Sequence, residues 1–402
     1  MLLLACKNAE TPIAATVAEA NVVKAEEKVV KNEQWDPVPA ADDPTKYLPL
    51  VKGKKIALVV NQTSTVKGTH LADFMIDKGV DVSHVFAPEH GFRGEADAGA
   101  KIKSGIDAKT GLKIISLYGN NKKPSKSDLE GIETVIFDIQ DVGVRFYTYI
   151  STLHYVMEAC AENNIPLIVL DRPNPNGHYV DGPILKKDFV SFVGLHPVPI
   201  VYGMTIGEYA QMINGQGWLK ANVQCDLKVI PCKNYSHQSK YDLPIKPSPN
   251  LPNRRSILLY PSLCLFEPTT FSIGRGTDLQ FQVLGHPNWG AVNHKFIPRP
   301  MPGATNPKHN GMRCTGHYFD FDMEILENRR EINLSYLELA YQSAGEIGFK
   351  FFNNEEFFDK LAGSDDLRTQ LRRGFTRQQI RATWQEDLSA FMKVREKYLL
   401  YP

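Results

Sequence analysis

From residue 54 onward, short apolar runs alternate with stretches that repeat at helical spacing. The runs at residues 56–60, 82–87, 113–117, 134–139 and 167–170 are too short for ordinary helices. Several are apolar without alternation, which predicts strands buried on both faces. Residues 70–78 place Leu71, Phe74, Met75 and Lys78 at helical spacing, residues 128–131 read as a helical turn, and 149–163 read as a helix. Such alternation predicts an α/β fold, a parallel sheet with helices on both faces. Beyond it, the pattern predicts a helix over 206–214, a strand over 225–231 and an ordered loop over 244–261, rich in proline and asparagine. It further predicts a strand over 279–284 and helices over 336–347, 355–360, 365–373 and 376–398. The regular alternation fades near residue 215, which sets an expected division into residues 48–215 and 216–402.

Polar residues gather just after the strands. Asn61-Gln62, Glu89-His90, Asp138 to Arg145, and Asp171 to Asn174 each follow an apolar run. If the strands are parallel, all four groups share one edge of the sheet, where open α/β folds bind ligands. The carboxylates, amides, guanidinium groups and phenols at that edge suit a sugar.

Composition narrows the classes. The chain has 402 residues, 43% hydrophobic and 23% charged, with a formal net charge of +1. Its length allows two domains. No basic block stands out, so no nucleic-acid partner is expected. No run reaches the ~18 to 20 apolar residues that cross a bilayer. The start is distinctive: Leu3-Leu4-Ala5-Cys6 resembles a bacterial lipobox, in which the cysteine carries lipid. The cationic part of a signal peptide and most of its apolar part are missing. The expectation is a truncated lipoprotein signal over 1–6 with lipid on Cys6, then a flexible tether over 7–47, rich in Ala, Lys, Glu, Val and Pro. The protein would then be exported and anchored to a bacterial membrane, facing the periplasm or cell surface. Of the other cysteines, Cys225 and Cys232 could bridge the strands of a hairpin in an oxidising compartment. The absence of CxxC and HExxH excludes the common zinc patterns, and no GxSxG elbow or phosphate-binding GxxxxGK[ST] loop is present. Neither a metal nor a cofactor is expected.

Glu89 is the first candidate for chemistry. A carboxylic acid beside a histidine at a strand end suits proton transfer to a leaving oxygen. It could equally cap a helix or pair with Arg93. Asp138 and Asp141 flank Gln140; either could be a second carboxylate or a ligand for sugar hydroxyls, or could cap a helix or pair with Arg145. Tyr147 and Tyr149 could touch a sugar ring, with at least one of them expected in the core. Asp171, Arg172 and Asn174 lie in a proline-stiffened turn and read either as ligand contacts or as turn chemistry. Asn61 carries the same ambiguity. Arg275, between Gly274 and Gly276, can present its planar fork to a carboxylate, and Glu267 is a spare second carboxylate.

Taken in order, these pieces form a recognisable set. Asn61-Gln62-Thr63, Pro88-Glu89-His90-Gly91 with Arg93-Gly94, Phe137-Asp138-Ile139-Gln140-Asp141-Val142-Gly143 with Arg145-Phe146-Tyr147-Thr148-Tyr149, Asp171-Arg172-Pro173-Asn174-Pro175, and Glu267 with Gly274-Arg275-Gly276-Thr277 all occur. Over roughly residues 54–402 the chain resembles the exo-β-N-acetylmuramidases, the NamZ-type glycoside hydrolases. The resemblance implies a Rossmann-like N-terminal domain, a smaller α/β C-terminal domain and an active site in the cleft between them. It implies release of β-1,4-linked N-acetylmuramic acid from the non-reducing end of peptidoglycan fragments, with Glu89 catalytic.

Muramic acid carries a lactyl carboxylate, which Arg275 or Arg145 could hold in a bidentate contact. An N-acetylated sugar also permits attack by its own acetamido oxygen, with Glu89 as acid and Asp138 or Asp141 steadying the acetamido group. The contrasting reading is a lipid-anchored protein that captures muropeptides or muramyl sugars without cleaving them.

Overall fold

The computed structural model describes residues 36–93, 104–290 and 293–402. The apolar runs form the centre of a seven-stranded sheet. Six of its strands run in parallel: β1 (Lys55–Val60), β2 (Asp81–Ala87), β3 (Lys113–Ser116), β4 (Thr134–Asp138), β5 (Leu167–Leu170) and β6 (Leu227–Ile230). Their spatial order is β3-β2-β1-β4-β5-β6, with the short antiparallel strand Gly105–Ile106 at the β3 edge. This is the doubly wound order whose direction reverses between β1 and β4. Val60 at the end of β1 stands in register with Asp138 at the end of β4, so the polar segments after both strands emerge side by side.

The period-two alternation inside these runs sorts the side chains into two cores. Ile56, Leu58 and Val60 of β1 join Ile136, Ile168 and Leu170 on one face, with Leu71 and Met75 of α1 (Leu71–Asp77). Ala57 and Val59 join Phe86, Val135, Phe137, Leu167 and Val169 on the other. That face is covered by α2 (Tyr149–Glu162) and α3 (Ile206–Gly215). A sheet buried on both faces explains why its strands read as apolar runs.

Several expectations need correction. Val38 pairs with Lys233, Ala40 and Ala41 are buried, and the buried Tyr47 donates from its hydroxyl to the Ala41 carbonyl at 2.8 Å. The stretch from about 38 to 47 is therefore packed structure and not tether; residues 1–35, with Cys6, lie outside the described residues. The sheet does not stop at 215, because β6 adds its last parallel strand beyond that point. Cys225 and Cys232 are both unpaired. They flank β6 at opposite ends, and strand geometry of about 3.3 Å per residue holds them much too far apart for a bridge.

The stretch read as a loop over 244–261 ends in α4 (Arg254–Leu263). Asn253 and Ser256 close a capping box at its start. Pro261 cannot donate to the Ile257 carbonyl one turn earlier. The Asn176 side chain takes that place at 3.3 Å, so the helix survives its proline.

The C-terminal half carries the antiparallel sheet β7 (Val283–His286), β8 (His294–Phe296) and β9 (Cys314–Tyr318), in the order β7-β9-β8. The expected strand over 279–284 thus begins later, since Phe281 sits at φ 54°. The expected helix over 376–398 breaks into Arg377–Ala382 and Gln385–Arg395. The chain then returns to the large sheet. The Tyr401 hydroxyl accepts from the Cys232 backbone at 2.8 Å and donates to Asp171 at 2.5 Å. Leu400 donates from its backbone to Glu208 at 2.7 Å.

Candidate active site

A cavity of about 490 Å³ opens at the carboxyl ends of β2, β3 and β4 and is closed by residues from the C-terminal half. Among the described residues, the carboxylates lining it are Glu89 and Glu267. Glu89 stands two residues beyond β2, in a turn closed by the Gly91 amide donating to the Pro88 carbonyl at 3.0 Å. His90 adopts φ 69° there and Gly91 φ 81°. A left-handed histidine is uncommon and conformationally costly, and such residues concentrate at functional sites. The turn lets the half-buried Glu89 face the cavity while His90 turns inward, its Nε2 3.2 Å from the Ser248 hydroxyl.

Among the described residues, Thr148 and Tyr118 are neighbours that hold the Glu89 carboxylate. Thr148 donates from its hydroxyl at 2.7 Å. Thr148 is also the N-cap of α2, yet its hydroxyl makes no capping bond. The second neighbour is Tyr118, just beyond β3. Its phenol is pushed up by burial first, then by the Glu89 charge and by hydrogen bonding to Glu89.

Aromatic rings build the floor. Tyr147 and Tyr149 pack edge to face at 4.8 Å, and Tyr260 packs against Phe146 and Phe281 at 5.4 and 4.9 Å. The hydroxyls of Tyr147 and Tyr149 both donate to the Pro247 carbonyl, at 2.7 and 3.4 Å. Gln62 donates to the same carbonyl at 3.2 Å, which ties the segment around Ser248 and Asn250 to the strand ends. Both tyrosines thus serve core and cavity at once.

The C-terminal half supplies Glu267 and Arg275, joined at 2.5 Å. Burial opposes the charge on Arg275, and Glu267 more than offsets it, leaving the guanidinium above its ordinary value. The loop carrying Glu267 is gathered from below by Lys308, which donates to the carbonyls of Glu267, Thr269 and Phe271 at 3.1, 2.5 and 2.8 Å. Burial lowers the Lys308 ammonium to about 8.

The structure therefore brings Glu89, His90, Tyr147, Tyr149, Glu267 and Arg275 to one cavity. The other candidates stand behind the wall as braces. Asp138 receives a bidentate contact from Arg172 at 2.6 and 2.8 Å, with both side chains buried. Asp141 accepts from the Tyr202 hydroxyl and from the Gly143 amide, and burial pushes its carboxyl up to about 6. Gly143 has φ 74°, and a Cβ there would meet the Asn174 amide at 2.3 Å, so that close approach requires glycine. Asn174 itself donates to the Met204 carbonyl at 2.8 Å, and Gln140 to the carbonyls of Asp141 and Pro173 at 2.8 Å each. Asn61 accepts from the Thr63 amide and hydroxyl at 2.9 and 2.6 Å. Asp171 accepts from Thr205, Gly207 and Tyr401 at 2.7, 2.8 and 2.5 Å.

Both remaining arginines are committed elsewhere. Arg93 pairs with Asp107 at 2.8 Å. Arg145 is fully buried and donates to the carbonyls of Pro183, Val198 and Leu361 at 2.8, 2.7 and 2.9 Å. Burial lowers its guanidinium to about 9. As placed here, Arg145 has no free fork for a ligand carboxylate, while Leu361, one of its acceptors, lines the cavity.

Sequence reasoning missed Tyr118, Thr148, Lys122, Phe192, Ser248 and Asn250 as cavity residues. The strand-end rule that singled out Glu89 also reaches Tyr118. Nothing in the local sequence marks Lys122 or Phe192.

The sequence profile described as "Exo-beta-N-acetylmuramidase NamZ, N-terminal" matches residues 56–255, and its C-terminal counterpart matches 258–401. The chain is 38% identical over 374 residues to the peptidoglycan beta-N-acetylmuramidase NamZ of Bacillus subtilis, covering 88% of this chain and 89% of that protein. Two crystal structures of DUF1343 family proteins from Bacteroides fragilis share the fold. One has a TM-score of 0.84 and 46% identity, with 91% of this chain and 99% of that one covered. The other has a TM-score of 0.77 and 27% identity, with 92% and 100% covered. With both profiles matched end to end across the sheet and the cavity-closing half, the chain belongs to the exo-β-N-acetylmuramidase NamZ family.

Proposed function

We propose that this chain is an exo-acting glycoside hydrolase that releases terminal β-1,4-linked N-acetylmuramic acid from the non-reducing end of peptidoglycan fragments. The observation that carries the reading is the Glu89 carboxylate, presented to a sugar-sized cavity by a left-handed turn and held by Thr148 and Tyr118. The name of the Bacillus subtilis relative supports the same chemistry.

In this reading Glu89 is the general acid and gives its proton to the leaving glycosidic oxygen. Glu267 replaces Asp138 and Asp141 as the second carboxylate, because it shares the cavity with Glu89 and they do not. Arg275 fixes its direction. The Tyr147, Tyr149 and Tyr260 floor takes the apolar face of the sugar. A defined muramyl-N-acetylglucosamine disaccharide tests the proposal. Free N-acetylmuramic acid should accumulate with wild-type protein and not with Glu89→Gln. Binding without release by the wild type would mark a capture protein instead.

Residues 1–6 carry a separate part of the proposal: export, with lipid on Cys6, supported by the lipobox-like Leu3-Leu4-Ala5-Cys6. In a bacterial host, Cys6→Ala should abolish fatty-acid labelling and move the protein from the membrane to the soluble fraction. Equal labelling of both forms would end that reading.

A further inference from the structure

The cations around the cavity are nearly all matched by partners inside the protein. Arg275 holds Glu267, Arg172 holds Asp138, Arg93 holds Asp107, and Lys308 and Arg145 are each wrapped by carbonyls. Lys122 differs. It lines the cavity and, among the described residues, makes no ion pair or hydrogen bond. Its neighbour Lys123 shows what a matched lysine looks like here, bridging Glu158 and Glu162 at 2.7 Å each.

The Lys122 ammonium is nevertheless placed. It stands 4.8 Å over the ring of Phe192. That ring is held edge-on by Tyr118 at 6.0 Å and stacked on Tyr155 at 6.3 Å. Tyr118 in turn contacts Glu89. A continuous wall therefore joins the unmatched cation to the carboxylate assigned as acid. A cation resting on an aromatic face beside a partly enclosed cavity retains its attraction for anions better than one in open water.

We propose that Lys122 is the charge-reading residue of this cavity: its ammonium receives a carboxylate carried by the substrate. This rests on the muramidase reading, which supplies two sources of that group, the lactyl carboxylate of the terminal sugar and the carboxylates of an attached peptide. Of the two residues that the sequence offers for this role, Arg275 already has its carboxylate in Glu267 and Arg145 is wrapped by carbonyls. Lys122 thereby becomes the group that separates muramyl from plain N-acetylglucosaminyl ends, which lack the acid. An unmatched cation discriminates because the neutral competitor leaves it without a partner.

Equilibrium binding by NMR titration tests this without requiring turnover. The ligands are N-acetylmuramic acid, its lactyl carboxamide, and N-acetylmuramyl dipeptide, in which the lactyl group is amidated and the peptide acids are free. Wild-type protein should bind at least one acid ligand about 10-fold more tightly than the carboxamide. Lys122→Gln should reduce that preference to within about 2-fold, and Lys122→Arg should restore most of it. Which acid ligand loses its advantage identifies the source. A preference that survives in Lys122→Gln, or its absence in the wild type, overturns the role. Cleavage of the muramyl disaccharide by wild type is scored in parallel: its failure rejects the hydrolase reading, while the binding ratios still decide on Lys122.

Discussion

The Thr148 hydroxyl donates to Glu89 at 2.7 Å and leaves the first turn of α2 without a side-chain cap. A threonine at an N-cap ordinarily contributes about 1 kcal/mol by bonding the helix backbone. Here the hydroxyl instead fixes the orientation of a carboxylate in the cavity. Thr148→Val should therefore lower kcat by about 10-fold or more with little change in KM, since it removes one of the bonds that orient the acid without altering the sugar floor. Thr148→Ser should recover most of the rate. Steady-state kinetics on the muramyl disaccharide checks both, and an unchanged kcat in Thr148→Val would remove Thr148 from the machinery.

Glu267 and Arg275 should behave as one unit. Arg275→Ala leaves Glu267 beside the cavity without its cation, so activity should fall by about 100-fold while the melting temperature moves little. The double variant Glu267→Gln with Arg275→Ala should be no worse than the poorer single variant. A double-mutant cycle on kcat/KM checks this, with a coupling as large as the loss of the milder single variant expected. Additive losses would separate the two roles.

Arg145 should be a stability residue. Arg145→Met removes a buried guanidinium and strands three carbonyls, two from the N-terminal half and that of Leu361 from the C-terminal half. The loss should be about 3 kcal/mol or more in urea unfolding. Activity per folded molecule should fall less, through displacement of the cavity wall around Leu361.

Asp171 should tilt the pH dependence of stability. Burial pushes its carboxyl up to about 7, with hydrogen bonds from Tyr401 and Thr205 working the other way. The unfolded chain holds this proton only below about pH 4. The folded state therefore binds it more tightly, and the stability it contributes is full below about pH 4 and lost as pH rises through about 7. Wild-type protein should lose up to about 4 kcal/mol across that window from this group. Asp171→Asn removes the titration, so its melting temperature should change less between about pH 4 and pH 8. Parallel slopes for the two proteins would contradict the assignment.

Much of this architecture is legible from the sequence, for a physical reason. Strands buried on both faces must be continuous apolar runs, so residues 56–60, 134–139 and 167–170 announce themselves, and the parallel order places their polar ends together. The same logic finds Glu89, Tyr147 and Tyr149. It cannot tell a ligand contact from a brace, because both require a polar residue just past a strand. Asp138, Arg172, Asn174 and Arg145 look like sugar ligands on that criterion, and each is committed to a buried partner. Glu267 and Arg275 were legible as chemistry but not as partners for each other. Lys122 acquires meaning only in space, from its seat over Phe192 in the cavity wall with no ion pair among the described residues. The helix Arg254–Leu263 was hidden because the group that compensates for Pro261, the Asn176 side chain, lies far away in sequence.

The return of Tyr401 to Asp171 spans 230 positions of chain. Contacts of such long range close late, since the entropy of closing the loop precedes any gain. The Cys232 amide and the third bond to Asp171 therefore wait until the helices of the C-terminal half have brought Tyr401 home. The two halves that separate family profiles describe are tied to each other by these closing bonds. A ribosome releasing this chain would hold an incomplete set of sheet-end bonds in waiting, the kind of intermediate that calls for a chaperone.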